Sequence, residues 1–398
     1  MPNVLTINGG SSSIRFAVFE AGQTPLRLLQ GKMDRIGSAD ACLTVEPRPG
    51  DAPARIQAAA GNHGTAVDIL MDWLESQPLS KTIDGVGHRV VHGMLHTAPE
   101  LVTPALLEEL KRIIPFDPEH LPREIELIET VQRRFGQLPQ VACFDTAFHR
   151  SMPRVATQLP IPRRYAAQGI QRYGFHGLSY TFLMQELERL GDPAAAQGRV
   201  ILAHLGSGAS LAAVRDGQCI DTSMGFTPAA GLVMGTRSGD LDPGLMSYLA
   251  LNTAMSAAQF QRMVNHESGL LGISQSSADV RDLLDLEARD PRAAEALALF
   301  CYQAKKWIGS FAAALGGLDT LVFAGGIGEN AASVRRRICE GMGHLGIDID
   351  EDANRRHAPR ISSDAGSKVT VRVIRTDEES VIASLSSRLL GFGPTQET

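Results

Sequence analysis

Leu5-Thr-Ile-Asn-Gly-Gly-Ser-Ser-Ser-Ile-Arg-Phe-Ala-Val-Phe19 decides how this chain is read. An apolar run delivers Asn8 into a Gly-Ser tract, and a second run, alternating apolar and polar residues, leads away from it. That pattern predicts strand, tight turn and strand over residues 3–20. Glycine lets backbone come close to an anion, and the N–H groups and hydroxyls of such a turn suit phosphate oxygens. The tract is not a Walker A loop, because it lacks the Gly-Lys-Ser/Thr ending and precedes a strand rather than a helix. Taken alone, a Gly-Ser hairpin is most simply a turn.

The chain repeats it. Val200-Ile-Leu-Ala-His-Leu-Gly-Ser-Gly-Ala-Ser-Leu-Ala-Ala-Val214 has the same strand–turn–strand form, with Gly9 and Ser13 falling on Gly206 and Ser210 at one offset. Two related halves predict a duplicated domain with a cleft between the copies. A third tract, Leu321-Val-Phe-Ala-Gly-Gly-Ile-Gly-Glu-Asn330, follows an apolar strand and precedes the helix-like run Ser333–Glu340. A strand entering glycines that open a helix suits nucleotide phosphate or ribose. Three such loops in one chain argue for phosphoryl chemistry.

The rest of the chain alternates strands with helices. Helical spacing covers Ala66–Glu75, Pro104–Ile114, Leu121–Phe135, Ala293–Leu315 and Ser380–Leu390, and strands are expected at Asp84–Gly93, Gln140–Asp145 and Thr370–Arg375. The polar stretch Glu46–Gly64 reads as a loop. The class is α/β with mixed sheets, and the last helix is expected to pack back on the first domain. A length of 398 residues accommodates two domains. The net charge of −6 gives no support for a nucleic-acid partner. Cys42, Cys143, Cys219, Cys301 and Cys339 are scattered without a C-x-x-C pair, which argues against a disulfide framework or a cysteine-rich zinc site. No signal-like segment and no bilayer-length apolar run is read, so the cytoplasm is expected and a membrane is not.

Several polar residues lie where chemistry is plausible on physical grounds. Arg89 sits in an apolar run, and a buried guanidinium needs an anion, either a structural Asp or a substrate carboxylate or phosphate. Arg237 lies in the glycine-flanked loop Met234-Gly-Thr-Arg-Ser-Gly-Asp-Leu-Asp-Pro-Gly244. Two arginines would offset the repulsion between a carboxylate and a transferring phosphoryl group. Asp145 ends a strand, a position suited to magnesium or catalysis and equally to capping the next helix. Glu378 and Glu379 have the same two readings. His176 and His204 sit beside or near glycines, where imidazole can donate to phosphate oxygens.

Together these segments resemble the acetate kinase family, the short-chain carboxylate kinases of the actin-like ATPase superfamily. Asn-x-Gly-Ser-Ser-Ser, His-Arg-Val-Val-His-Gly, Phe-Asp-Thr-Ala-Phe-His, Tyr-Gly-Phe-His-Gly, His-Leu-Gly-x-Gly-Ala-Ser, Met-Gly-Thr-Arg-Ser-Gly-Asp-Leu-Asp-Pro and Gly-Gly-Ile-Gly-Glu-Asn occur in family order between Asn8 and Glu379. The resemblance implies two RNase H-like domains, 1–147 plus 378–398 and 148–377, with ATP in the cleft. It implies reversible, direct in-line phosphoryl transfer between ATP and a short-chain carboxylate, giving ADP and acyl phosphate. Magnesium, or manganese in its place, and a homodimer come with it. Arg89, Arg237, Asp145 and His176 would be catalytic, and Asn8 and Glu378 would serve the metal. Asn8, Ser11, Ser12, Arg15, His204, Gly206, Gly208, Asp279, Arg281, Gly325, Gly326, Ile327 and Asn330 would line the nucleotide and phosphate path. Val91, Phe116, Phe175 and Pro228 would form the acyl pocket.

Departures from the family pattern matter. Ser207 stands for a usual Asn, which loses reach but keeps a hydroxyl. In Ile114-Pro-Phe-Asp-Pro-Glu-His-Leu121, Asp117 is read at the position of a phosphate-facing His in Pro-Leu-His-Asn-Pro. An anion there repels phosphate unless it is protonated, turned away or metal-bound. His120 is the expected replacement donor, and the bulk of Phe116 predicts acetate first and propionate second. The competing readings are a superfamily phosphotransferase or phosphohydrolase with another acceptor, and an inactive nucleotide-binding homologue.

Overall fold

The first hairpin forms as its pattern predicts. In the computed structural model, which describes residues 1–392 apart from Ser11, Ser12, Gln23 and Pro49, strand β1 (Asn3–Gly9) pairs antiparallel with β2 (Ile14–Glu20) from Asn3↔Glu20 to Gly9↔Ile14. The Gly10 N–H closes the turn on the Ser13 carbonyl at 2.8 Å. Every residue of β1 is buried, as expected of a strand covered on both faces. The predicted phosphate contacts Ser11 and Ser12 lie outside the described residues.

The chain divides into two compact units. The first comprises Met1–Ala147 with the C-terminal segment from Asp377, and the second Phe148–Thr376. In the first unit β3 (Leu26–Asp34), β4 (Cys42–Glu46), β5 (Ala54–Gln57), β6 (Ile83–Val90), β7 (Glu100–Leu101) and β8 (Gln140–Phe144) complete a sheet of order β5-β4-β3-β2-β1-β6-β8-β7. Antiparallel pairing runs through β5 to β1, and β1/β6 and β6/β8 are parallel. In the second unit β9 (Arg199–Leu205), β10 (Ala209–Arg215), β11 (Gln218–Thr222), β12 (Thr320–Ala324) and β13 (Thr370–Val373) follow the order β11-β10-β9-β12-β13. The pairs β9/β10 and β10/β11 are antiparallel, and β9/β12 and β12/β13 are parallel. The five-strand core β3-β2-β1-β6-β8 therefore recurs strand for strand in β11-β10-β9-β12-β13. The expected duplication is present in topology as well as in the hairpin motif.

Local chemistry explains the element ends. Thr103 caps Pro104–Arg112 by accepting from the Leu106 N–H, with proline in the first turn. The 25-residue helix Pro291–Leu315 is capped by Asp290 and stopped by Gly316 at φ +74°. Its buried face carries Ala293, Ala296, Ala304 and Ala312 among larger residues such as Phe300 and Phe311. The C-terminal helix Glu378–Leu389 starts two residues before the predicted Ser380, because Asp377 accepts from the Ser380 N–H. That helix lies directly on β6: a Cβ at Gly87 would collide with Ser386 and Ile382. Glycine in Asp84-Gly-Val-Gly-His is thus a condition for docking. The stretch read as a loop after Glu46 contains the edge strand β5, all four residues exposed, whose polar composition hid it.

Three histidines are sealed in these cores. His88, His92 and His149 are no more than 1% exposed, and burial pushes each down to about 4. Between that value and the ordinary 6.5, the unfolded chain binds protons that the folded chain excludes. Their contribution to stability is therefore complete above about pH 6.5 and is lost as pH falls towards 4. A melting temperature that falls steadily through this window is expected, and a flat profile contradicts it.

Candidate active site

Three parallel neighbours, β1, β6 and β8, end side by side, and each delivers one polar residue there. Asn8 is the penultimate residue of β1, Arg89 that of β6, and Asp145 follows β8. The carboxyl ends of such strands are where open α/β sheets place ligands. Arg89 donates from Nε and Nη2 to Asp145 Oδ2 at 2.9 and 2.6 Å, and from Nη1 to Asn8 Oδ1 at 3.3 Å. Asp145 is fully buried, with its backbone N–H on the Val90 carbonyl at 3.0 Å. Burial opposes the Arg89 charge, but the Asp145 carboxylate and then Glu378 outweigh it and raise the guanidinium above its ordinary range. The structural Asp is thus one partner of Arg89.

The docked C-terminal helix brings two more acids. Asn8 Nδ2 donates to Glu378 Oε2 at 2.8 Å and to Glu379 Oε1 at 3.1 Å. Burial, and next the Glu378 charge, raises the Glu379 carboxyl. Asn8 therefore orients this acid pair with its amide N–H groups. Among the described residues no set of three or more His, Cys, Asp or Glu forms a metal cage. The site instead offers the hard oxygens of Glu378 and Asp145, which fit an ion that takes one or two carboxylates and completes its shell with phosphate and water.

Beside this row, Gly9, Gly10, His63, Glu119, His120, Arg123 and Glu124 line a small, partly open pocket. The Glu124 carboxylate accepts from the Val91 N–H at 3.0 Å, and burial raises its carboxyl well above the usual range. Asp117 faces inward, 2% exposed, with Oδ1 2.8 Å from His120 Nδ1. His120, not Asp117, therefore lies beside the glycines of the first hairpin. Pro118-Glu-His-Leu-Pro122 places this histidine between two prolines, three residues beyond Asp117. Phe116 packs edge-on against His92 at 5.9 Å, on the cluster containing Val90 and Leu107.

In the second unit the groups gather at the end of β9. The His176 and His204 rings stack at 4.4 Å between centroids. His176 Nδ1 is 2.8 Å from Ser210 Oγ, which also bonds Tyr180, and His204 Nδ1 is 2.8 Å from Ser179 Oγ. A Cβ placed on Gly208 would lie 3.4 Å from His176 Nε2 and 3.6 Å from Arg237 Nη1. The bare hairpin thus meets both side chains. His176 holds φ +60°, a left-handed backbone that is costly outside glycine and frequent at functional sites. Arg237 Nη1 donates to the Pro228 carbonyl at 3.1 Å, and the Gly235 N–H ties its loop to the Ser207 carbonyl at 3.0 Å. The backbone of Ser207 thus does local work that does not depend on its side chain. Ser179, Tyr180 and Ser210, which orient the two imidazoles, were not singled out in the sequence. Ser210 had a visible signal as the repeat of Ser13.

The third glycine tract also meets this hairpin. Gly325 has φ +76°, and a Cβ there would sit 2.6 Å from the Leu205 carbonyl oxygen. The tract itself forms the helix Gly325–Asn330, with Asn330 Nδ2 on the Gly326 carbonyl at 2.9 Å. Gly325→Ala is expected to lower ATP affinity at least about 10-fold, from strain of a few kcal/mol at this backbone. Titration calorimetry with ATP checks this, and wild-type affinity contradicts it. Asp279 caps Val280–Leu286 and pairs with Arg281 on the surface. Ala278, the residue before it, packs on Gly235 of the Arg237 loop. Arg15 is exposed on β2. Of the expected acyl-pocket residues, Val91 is buried and Phe116 half-buried in the first unit, while Phe175 and Pro228 are buried in the second.

This duplicated α/β fold, with an arginine–carboxylate pair in one copy and a glycine–histidine–arginine cluster in the other, defines a phosphotransferase of the actin-like ATPase class. The acetokinase family profile matches residues 3–384, and the chain belongs to that family. It is 42% identical over 396 residues to an acetate kinase of Rhodopseudomonas palustris, spanning 98% of this chain and 99% of the relative. It is also 42% identical over 387 residues to a propionate kinase of Citrobacter rodentium, spanning 96% and 95%. The crystal structure of a propionate kinase from Francisella tularensis superposes with a TM-score of 0.89 at 36% identity, covering 98% of this chain and all of that one. The acetate kinase of Porphyromonas gingivalis gives 0.86 at 34%, with the same coverage. Membership implies ATP as co-substrate and a divalent metal.

Proposed function

We propose that this protein transfers the terminal phosphoryl group of ATP to a short-chain carboxylate, reversibly, giving ADP and acyl phosphate. A carboxylate oxygen attacks the γ-phosphorus, the bond to the β,γ-bridging oxygen breaks, and ADP departs. The acid is already ionised at neutral pH, so no base is required. Positioning and charge neutralisation therefore carry the catalysis. The observation that carries this reading is the Arg89–Asp145 pair at the ends of β6 and β8, beside Asn8 and the Glu378 carboxylate.

Arg89 holds the acid, and Asp145 fixes the plane of the guanidinium. Arg237, His176 and His120 donate to the transferring phosphoryl oxygens, while His204, Gly206 and Gly208 follow the phosphate path. Gly325, Gly326, Ile327, Asn330, Asp279 and Arg281 receive the nucleotide, and Arg15 with Ser11 and Ser12 adds donors at the first hairpin. Magnesium is the expected ion: Glu378 and Asp145 would hold it, and Asn8 would orient Glu378. When bound, it neutralises charge on the phosphates. Val91, Phe116, Phe175 and Pro228 would line a short apolar acyl pocket, and the bulk of Phe116 favours acetate before propionate. Acceptors of other classes and an inactive homologue are not favoured.

A homodimer and a cytoplasmic location belong to the same reading. The helix Gly244–Thr253 has no buried residue, yet carries Leu251 at 85% and Tyr248 at 62% exposure, a face suited to a second copy. Five buried free thiols and the use of ATP suit the cytoplasm. Among the described residues no helix is long and apolar enough to cross a membrane. ATP-dependent formation of acyl phosphate, trapped as hydroxamate, tests the function.

A further inference from the structure

Asp117 is a buried carboxylate with one oxygen satisfied. Its Oδ1 is 2.8 Å from His120 Nδ1, while Oδ2 has no hydrogen-bond partner among the described residues. The backbone fixes its place, because the Asp117 N–H donates to the Ile114 carbonyl at 3.0 Å and its own carbonyl accepts from the Leu121 N–H at 3.2 Å. Burying a carboxylate in this way is costly unless its partner is a good donor. The charged and titratable groups around the pair are His92, against Asp117 and Phe116, and His63, Glu119, Arg123 and Glu124, which line the pocket with His120. Burial keeps the His92 ring neutral, down at about 4, so His92 supplies no counter-charge. His120 is the bonded partner.

We propose that Asp117 is a positioning residue for phosphoryl transfer, holding Nδ1 of His120 so that Nε2 is presented to the phosphoryl oxygens. This rests on the reading of His120 as a phosphate-facing donor. A carboxylate only accepts, so the proton stays on Nδ1. Nε2 donates to a phosphoryl oxygen only when both ring nitrogens carry protons, and the Asp117 carboxylate behind Nδ1 is the counter-ion such a donor requires. The same bond sets the ring plane, as a carboxylate behind a ligating histidine does in metal sites.

A double-mutant cycle tests this. Asp117→Ala is expected to lower kcat about 10-fold or more, with KM for acid and ATP within about twofold. In a His120→Asn background the same change is expected to cost nothing further, because its route is gone. An equal loss in both backgrounds makes the role structural and overturns the proposal. If Asp117→Ala does not fold, the isosteric Asp117→Asn replaces it, and a smaller loss confined to the His120 background is expected. Nitrogen-15 spectra of the histidine rings give a readout apart from turnover. Once deprotonated at high pH, the His120 ring should keep its remaining proton on Nδ1 in the wild type, held by Asp117, and move it to Nε2 in Asp117→Ala. The Nε2–H form in the wild type overturns the proposal. Wild-type kcat in His120→Asn removes the underlying reading, whereas a crippled His120→Asn beside a fully active Asp117→Ala removes the proposal alone.

Discussion

Arg89→Ala is expected to lower kcat/KM for the acid by at least about 10³-fold and to destabilise the first unit by about 3–5 kcal/mol. Both effects have one cause. The guanidinium holds Asp145, which is fully buried, through two hydrogen bonds, and it reaches Asn8 as well. Its removal takes a charge and two hydrogen bonds from a carboxylate sealed in the sheet, and the row of groups at the strand ends is lost with it. Arg89→Lys restores a charge but not the planar fork, so stability should recover more than turnover. Urea unfolding beside the hydroxamate assay separates the two. Wild-type turnover in Arg89→Ala would remove this residue from the site.

Arg237→Ala is expected to lower kcat about 10²–10³-fold while leaving the unfolding midpoint almost unchanged. Arg237 is half-buried on a loop, and its side chain reaches the Pro228 carbonyl and the Met234 sulfur. Its charge is expected to matter more to a developing phosphoryl charge near Gly208 than to the fold. The contrast with Arg89 is the informative part. A large stability loss with modest kinetic loss in Arg237→Ala would show that the loop, rather than the reaction, requires the guanidinium.

Much of this was legible in the sequence because the relevant signals are local. The hairpin at Asn8 and its copy at Gly206 gave the duplication, and strand topology repeats it. Arg89, Asp145, His176 and Arg237 were visible as polar residues in apolar or glycine-rich runs. What escaped depends on distant contacts. Gly87 is needed because a helix about three hundred residues later docks there, and nothing near Asp84-Gly-Val-Gly signals it. Ser179, Tyr180 and Ser210 act only through the imidazoles they orient. His120 was named from the sequence as the replacement donor, but its bond to Asp117 was not: Asp117 turns inward to His120. Asp117, one of the two departures behind the inactive-homologue reading, bonds His120 and does not line the pocket beside the first hairpin.

The most direct test is hydroxamate trapping of acyl phosphate with ATP and magnesium, run in parallel on acetate, propionate and butyrate. Acetyl hydroxamate forming fastest, propionyl next and butyryl least is the expected result. No product from any of the three acids, with folded protein that still binds ATP, would contradict carboxylate phosphorylation as the function of this chain.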